Sequence, residues 1–263
     1  MPQQPGGNRP WVFLDIGNVI FYDLPLLARI WRHFYLTLKA GGFKMTYSEV
    51  LKERERILSC SRPEDNPRRA IARQHAGDLD PELVDRAVNR WLEVYPGANF
   101  PVRGIKPALE ALATKYRLGI IANQPPLARQ ELARHGLDSP FDPVVISDEV
   151  GFHKPDMKIF RHALELAGAD PQTSLMVGDR IDNDIRPARM AGMRTVWLDL
   201  DLRDMDYQPE DEYERLYMES YHRVTGIDRD TSDPASRPDA MAREARELPL
   251  AVAGVISQME VAG

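Results

Sequence analysis

The sequence predicts an α/β fold, a doubly wound parallel sheet interrupted by an all-helical insert. Three observations carry this expectation. Short, wholly apolar runs recur along the chain and end at Asp, Asn or Gly, the pattern of strands buried on both faces. Helical patterns separate these runs, so the crossovers are helices. A long stretch after the first run has helical spacing and no strand signal.

Residues 11–16 form the first apolar run and lead into Asp15. Residues 24 to about 95 then break the alternation and read as helices over Pro25–Lys39, Thr46–Ser59, Pro67–Ala76 and Pro81–Val94. Asp80-Pro81 is a strong entry, with Asp80 as N-cap and Pro81 at the first helical position. Trp31, Phe34 and Tyr35 read as the core of this insert. A helix over Lys106–Lys115 precedes a strand at 116–122 that ends at Asn123. Pro126–His135 is the next helix and stops at Gly136. Strand 143–147 runs into Asp148, and helix Asp156–Ala167 carries Met157, Phe160 and Leu164 on one face. Strands 174–178 and 194–198 follow, the first ending at Asp179.

The expected core is therefore 11–22 and 96–200, with a closing helix over about 242–259. The helical cap is 23–95. Residues 201–241 are an acidic, proline-punctuated insertion with a helix over Pro209–His222 and an acid-rich stretch, Asp201–Glu219, that reads as a solvated face.

The 263 residues suffice for one sizeable core and a smaller lobe. A net charge of −6 offers no broad basic field, which disfavours nucleic acid as the main partner. The single cysteine, Cys60, permits no intrachain disulfide and suits a reducing cytosol. Met1 to Pro10 is polar and lacks the apolar stretch of a signal peptide. No run reaches the length of a membrane span. A cytoplasmic protein without membrane contact is expected.

Ligands of an open parallel sheet bind beyond the carboxyl ends of its strands. Those ends bring together Asp15, Asn123, the loop before Lys154, and Asp179 with Asp184. Three carboxylates, an ammonium and an amide suit phosphate chemistry. A magnesium ion held by carboxylates removes the repulsion between a carboxylate nucleophile and a phosphate, and Lys154 adds a positive point charge. Asp182 reads as a loop acid. His33, His75, His135 and His153 read as surface or packing residues, with His153 nearest the site because it abuts Lys154.

The order Asp15, Asn123, Lys154-Pro155, Gly178-Asp179, Asp184 resembles the haloacid dehalogenase-like superfamily, and the insert resembles its type-1 cap. Phe13-Leu-Asp-Ile-Gly-Asn-Val-Ile20, Gly151-Phe-His-Lys-Pro-Asp-Met-Lys-Ile-Phe160 and Val177-Gly-Asp-Arg-Ile-Asp-Asn-Asp-Ile-Arg-Pro-Ala188 are similar to three of its motifs. The resemblance covers about residues 11–200. It implies a magnesium-dependent phosphatase of a small phosphorylated metabolite, working through an aspartyl-phosphate on Asp15. Asp15 and Asp179 would ligate the metal through side chains, Gly17 through its carbonyl, and Asp184 through water or by orienting the site. Lys154 would pair with Asp15 and the phosphate, and Asn123 would hold phosphate oxygens. The cap would close over the site.

Two positions depart from the family pattern. Gly17 stands where many members carry a second aspartate as general acid and base. Ala122 stands where a serine or threonine hydroxyl is usual. These departures keep two other readings open: a catalytically weakened member that binds a phosphorylated ligand or a protein, and a dehalogenase-like or phosphonate-hydrolase-like relative. The last would need a cap lysine, for which Lys39, Lys44 and Lys52 are the candidates.

Overall fold

The computed structural model describes residues 9–60, 66–225 and 228–262. Most of the N-terminal segment read above as lacking a leader, residues 1–8, lies outside them. The chain divides into two compact units: a core unit of Met1–Tyr22, Pro101–Met205 and Asp228–Gly263, and a helical unit of Asp23–Phe100 and Asp206–Ile227.

The core unit is built on six parallel strands: β1 (Trp11–Leu14), β2 (Arg117–Ala122), β3 (Phe141–Ile146), β4 (Ser174–Gly178), β5 (Arg194–Leu198) and β6 (Ala240–Ala242). Their order is β3-β2-β1-β4-β5-β6. Central β1 pairs with β2 and β4, and Leu14 lies opposite Ile120 on one side and Val177 on the other. Successive strand residues point to opposite faces. Every residue of β1 is buried, so both faces are covered, which explains its unbroken apolar sequence.

On one face Phe13, Ile121 and Met176 pack with Ile159 and Phe160 of the helix Met157–Ala167. Asp156 caps that helix by accepting from the Lys158 amide, and Gly168 ends it in the left-handed conformation. The helices Ile105–Ala113 and Leu248–Ala262 pack on each other and on the sheet.

The helical unit starts with α1 (Asp23–Ala40), α2 (Tyr47–Ser59), α3 (Pro67–His75) and α4 (Pro81–Asn89). Its starts follow local chemistry. Thr46 and Glu49 form a capping box. Asn66 and Asp80 cap α3 and α4, each followed by proline. Trp31, Phe34 and Tyr35 are buried.

The parallel sheet and most element positions follow the expectation, with three differences. The helix expected over Pro81–Val94 stops at Asn89 and continues as a separate turn, Trp91–Val94. Strand β6 was not foreseen, because Ala240-Met-Ala has no β-branched or aromatic residue; it pairs with the edge of β5, Trp197 opposite Met241. Residues 201–241, read above as one insertion, are shared between the units, the stretch from Asp206 joining the helical unit and that from Asp228 the core. The acid-rich part is not uniformly solvated. It forms α5 (Glu212–Arg223), which buries Tyr217, Tyr221 and the carboxylate of Glu214. Glu214 is held there by the Tyr207 hydroxyl and the Glu210 amide, the latter at 2.9 Å.

Candidate active site

The carboxyl ends of β1, β2 and β4 meet at one place. Asp15 directly follows β1, and its amide donates to the Val177 carbonyl at 3.0 Å, which fixes it beside β4. Asp179 directly follows β4. Asp184 lies in a π-helical turn, Ile181–Ile185, and its carboxylate accepts from the Arg180 amide at 3.0 Å. The three acids offer oxygens that all lie within 4.8 Å of one another.

Lys154 joins this group. Its Nζ lies 2.7 Å from Asp15 Oδ1 and 2.6 Å from Asp184 Oδ1, and its side chain is fully buried. Asn123, which follows β2, holds Lys154 by its backbone. The carboxamide Nδ2 donates to the Lys154 carbonyl at 2.8 Å, and the Lys154 amide donates to Asn123 Oδ1 at 2.7 Å. Two hydrogen bonds to one residue leave the lysine little freedom. The family resemblance assigns Asn123 to phosphate; in the structure its carboxamide is bonded to the Lys154 backbone.

Burial pushes the Asp15 carboxyl up to about 6; Lys154 opposes the rise and Asp184 adds to it. Burial acts to lower the Lys154 ammonium, but Asp15 and Asp184 outweigh it and hold it above the ordinary lysine range. Three carboxylates and one ammonium carry two net negative charges at neutral pH. All the side-chain oxygens are hard donors, so the set matches a hard divalent cation in charge and chemistry.

Three residues not singled out in the sequence position this group. Asn18 is buried, has a positive φ of 48°, and donates from Nδ2 to Asp179 Oδ2 at 3.0 Å. Trp197 on β5 donates its indole N–H to the Asp179 carbonyl at 2.8 Å. Arg180 grips Asp182 with two bonds, 3.0 and 2.6 Å, so Asp182 is a partner for arginine. The only cue to Asn18 was its place after glycine in a turn-like pair; nothing local marks Trp197.

Gly17 is buried two residues beyond Asp15 and brings only backbone. Ala122 is buried at the end of β2 and has no hydroxyl to offer. His153 is exposed, and His135 packs its ring 5.3 Å from Phe21. In the helical unit Lys39 donates to the Phe43 carbonyl at 3.3 Å.

Among the described residues no helix is long and apolar enough to cross a membrane.

Comparison with known proteins agrees with this geometry. The family of haloacid dehalogenase-like hydrolases matches residues 11–192. The chain is 32% identical over 199 residues to a glyceraldehyde 3-phosphate phosphatase of Methanothermobacter thermautotrophicus, covering 74% of this chain and 88% of that protein. A second glyceraldehyde 3-phosphate phosphatase, from Methanopyrus kandleri, is 29% identical over 216 residues, 78% of this chain and 92% of its own. The crystal structure of a phosphatase of the same superfamily from Thermococcus onnurineus superposes with a TM-score of 0.57 at 25% identity, over 93% of this chain and 98% of that one. The acid cluster at the strand ends and the family match over most of its length together place this chain among the haloacid dehalogenase-like hydrolases.

Proposed function

We propose that this chain is a magnesium-dependent phosphatase of small phosphorylated metabolites, with Asp15 as nucleophile. The observation that carries the reading is the Lys154 ammonium set between Asp15 and Asp184, with Asp179 completing a set of three acids within 4.8 Å. The two relatives named as glyceraldehyde 3-phosphate phosphatases support phosphate ester hydrolysis.

Asp15, Asp179 and Asp184, with the carbonyl of Gly17, would hold the magnesium ion. When bound, the ion neutralises charge on the phosphate and on Asp15. The free Asp15 oxygen attacks phosphorus, the ester P–O bond breaks, and the phosphoryl group resides on the carboxylate. Water then attacks phosphorus, releasing inorganic phosphate and regenerating Asp15. Lys154 fixes the attacking carboxylate and offers positive charge to the phosphate. Asn123 keeps Lys154 in place, and its second N–H is available for a phosphate oxygen.

With glycine at position 17, no side chain there protonates the leaving oxygen. A general acid is worth roughly 10²–10⁴-fold. The preferred substrates are therefore phosphates whose leaving group departs without protonation, such as acyl or anomeric sugar phosphates.

Hydrolysis of p-nitrophenyl phosphate with magnesium, followed by a panel that includes triose, anomeric sugar and acyl phosphates, tests the reading. Turnover that disappears in Asp15→Asn is the expected result. Absence of turnover across the panel, in protein that binds magnesium, would overturn it. Gly17 and Ala122 favour a second reading, a member that binds a phosphorylated ligand with little turnover; that second outcome would select it.

A further inference from the structure

The core unit carries a second concave feature, at the end of the sheet away from the acid cluster. A cavity of about 720 Å³ opens there. Its wall is built from the turns Pro171–Thr173 and Pro234–Ser236, the helices Arg186–Met190 and Leu248–Ala262, and the start of β5. Thr173 directly precedes β4 and Arg194 is the first residue of β5, so the cavity lies at the amino ends of these strands. Asp179 follows the carboxyl end of β4. The five residues of that strand, at about 3.3 Å each, set the two places roughly 16 Å apart.

Two arginines, Arg189 and Arg194, line the cavity, and among the described residues no acid does. One carboxylate behind the wall joins them. Asp239 Oδ2 accepts from Arg189 Nη1 at 2.8 Å, and Oδ1 accepts from Arg194 Nη1 at 3.1 Å. Asp239 is itself anchored. Its Oδ2 also accepts from the Thr195 amide at 2.8 Å and the Thr195 hydroxyl at 3.1 Å, and its own amide donates to the Thr195 carbonyl at 3.1 Å. Burial acts to raise this carboxyl, but the Thr195 amide and the two arginines outweigh it and hold it below the ordinary range. The cluster therefore holds two cations and one anion, a net charge of +1. Each guanidinium spends one of its five donors on Asp239 and keeps four.

The rest of the wall is largely apolar. Met190 is 60% exposed, Met193 is buried beneath it, and Met259 and Pro234 also line the cavity. Methionine side chains are flexible and polarisable, and they adapt to flat rings. A volume of this size lies within the range of small-molecule sites, which combine an apolar wall with a few fixed polar groups. Guanidiniums held by a shared, anchored carboxylate lose little further freedom when a ligand arrives.

We propose that this cavity is a second ligand site, and that it binds an amphipathic anion: one carboxylate or phosphate head on the guanidiniums of Arg189 and Arg194, and an aromatic body against the methionines. Planar guanidiniums match the oxygens of either head group. The net charge of +1 balances a single anionic head. The site does not depend on the phosphatase reading, because none of its residues belongs to the acid cluster.

The test titrates the full chain, in EDTA at constant ionic strength, with naphthalene-2-carboxylate, naphthalene-2-phosphonate and the neutral naphthalene-2-methanol. Calorimetry reads affinity, and the methyl signals of ¹³C-labelled methionines, assigned by Met→Leu replacement, read position. Saturable binding of at least one anion with Kd below about 1 mM is expected, with the alcohol about tenfold weaker or more. The Met190 and Met259 methyls should shift, and that of Met176 within the sheet should not. Arg194→Gln removes one charge at an exposed position and should weaken the anion by about tenfold. Met190→Glu places a negative charge on the wall and should do the same; its exposed side chain makes it safe for folding. Binding of either head group supports the site, and the tighter one names it. No saturation by about 1 mM, equal binding of the alcohol, methyl shifts confined to methionines outside the cavity, or affinities unchanged in both variants would each overturn it.

Discussion

Replacing Gly178 by alanine isolates the demand that one missing side chain places on the acid cluster. Gly178 is the last residue of β4, and a Cβ built there lies 2.5 Å from Asp184 Cγ and 2.7 Å from Asp184 Oδ2. Real Cβ atoms essentially never approach so closely, so something must move. The strand cannot easily do so, because Gly178 pairs with Trp197 on β5 and the neighbouring Val177 is paired on both sides. Asp184 must therefore shift by roughly 1 Å. It is fully buried and bonded to Lys154 at 2.6 Å and to the Arg180 amide at 3.0 Å. A shift of that size disrupts both. Breaking a buried ion pair costs about 3–5 kcal/mol; the Lys154–Asp15 contact survives, so the lower end applies, about 3 kcal/mol. For a chain of this size that is roughly 6–12 °C in Tm. Displacing Asp184 by this amount should also lower kcat by about 10²-fold. Thermal unfolding and p-nitrophenyl phosphate turnover measure both. A Gly178→Ala protein within about 2 °C of wild type and with normal turnover would refute the steric argument.

Other residues yield further expectations. Asn123→Ala removes both bonds to the Lys154 backbone, which should cost about 1–3 kcal/mol in urea unfolding and lower kcat more than it raises KM; an unchanged kcat would show that the lysine holds itself. Asp15 has a folded-state value of about 6 against an ordinary 3.8, so the metal-free fold binds this proton more tightly than the unfolded chain does and is stabilised where the carboxyl is protonated. That stability is full below pH 4 and is lost as pH rises through 6, a difference of about 3 kcal/mol. Asp15→Asn should lack this slope in urea titrations made in EDTA, and equal slopes would contradict the assignment. Magnesium needs the ionised carboxylate, so its affinity, read by calorimetry, should fall by roughly tenfold per unit below pH 6. A flat affinity down to pH 5 would exclude Asp15 as a ligand.

The sequence made the sheet legible because β1, β4 and β5 are buried runs whose local preference and final environment agree. The positions of Asp15, Asn123 and Asp179 followed from a rule about where strands end. Their partners did not. Lys154 and Asn123 are 31 residues apart, and no periodicity reports that the two exchange backbone and side-chain bonds. Trp197 looks like any strand aromatic until its indole is seen to reach the Asp179 carbonyl. The acid-rich helix departs from the sequence expectation for a related reason. Glu214 is one acid among many in sequence, and only three-dimensional neighbours decide that it is buried while Glu212 is not.

The division of the helical unit between Asp23–Phe100 and Asp206–Ile227 bears on how the protein is made. During synthesis α1 to α4 emerge early, but α5, which packs on α1 and α2, follows more than a hundred residues later. Until then the apolar face around Trp31 waits for Tyr217. Five of the six core strands have left the ribosome before that partner arrives, so the nascent chain carries an unfinished helical lobe through most of its elongation. Such an interval is where a chaperone that shields apolar helix faces would find this protein, and where slowing of translation just after α5 would give the lobe time to close.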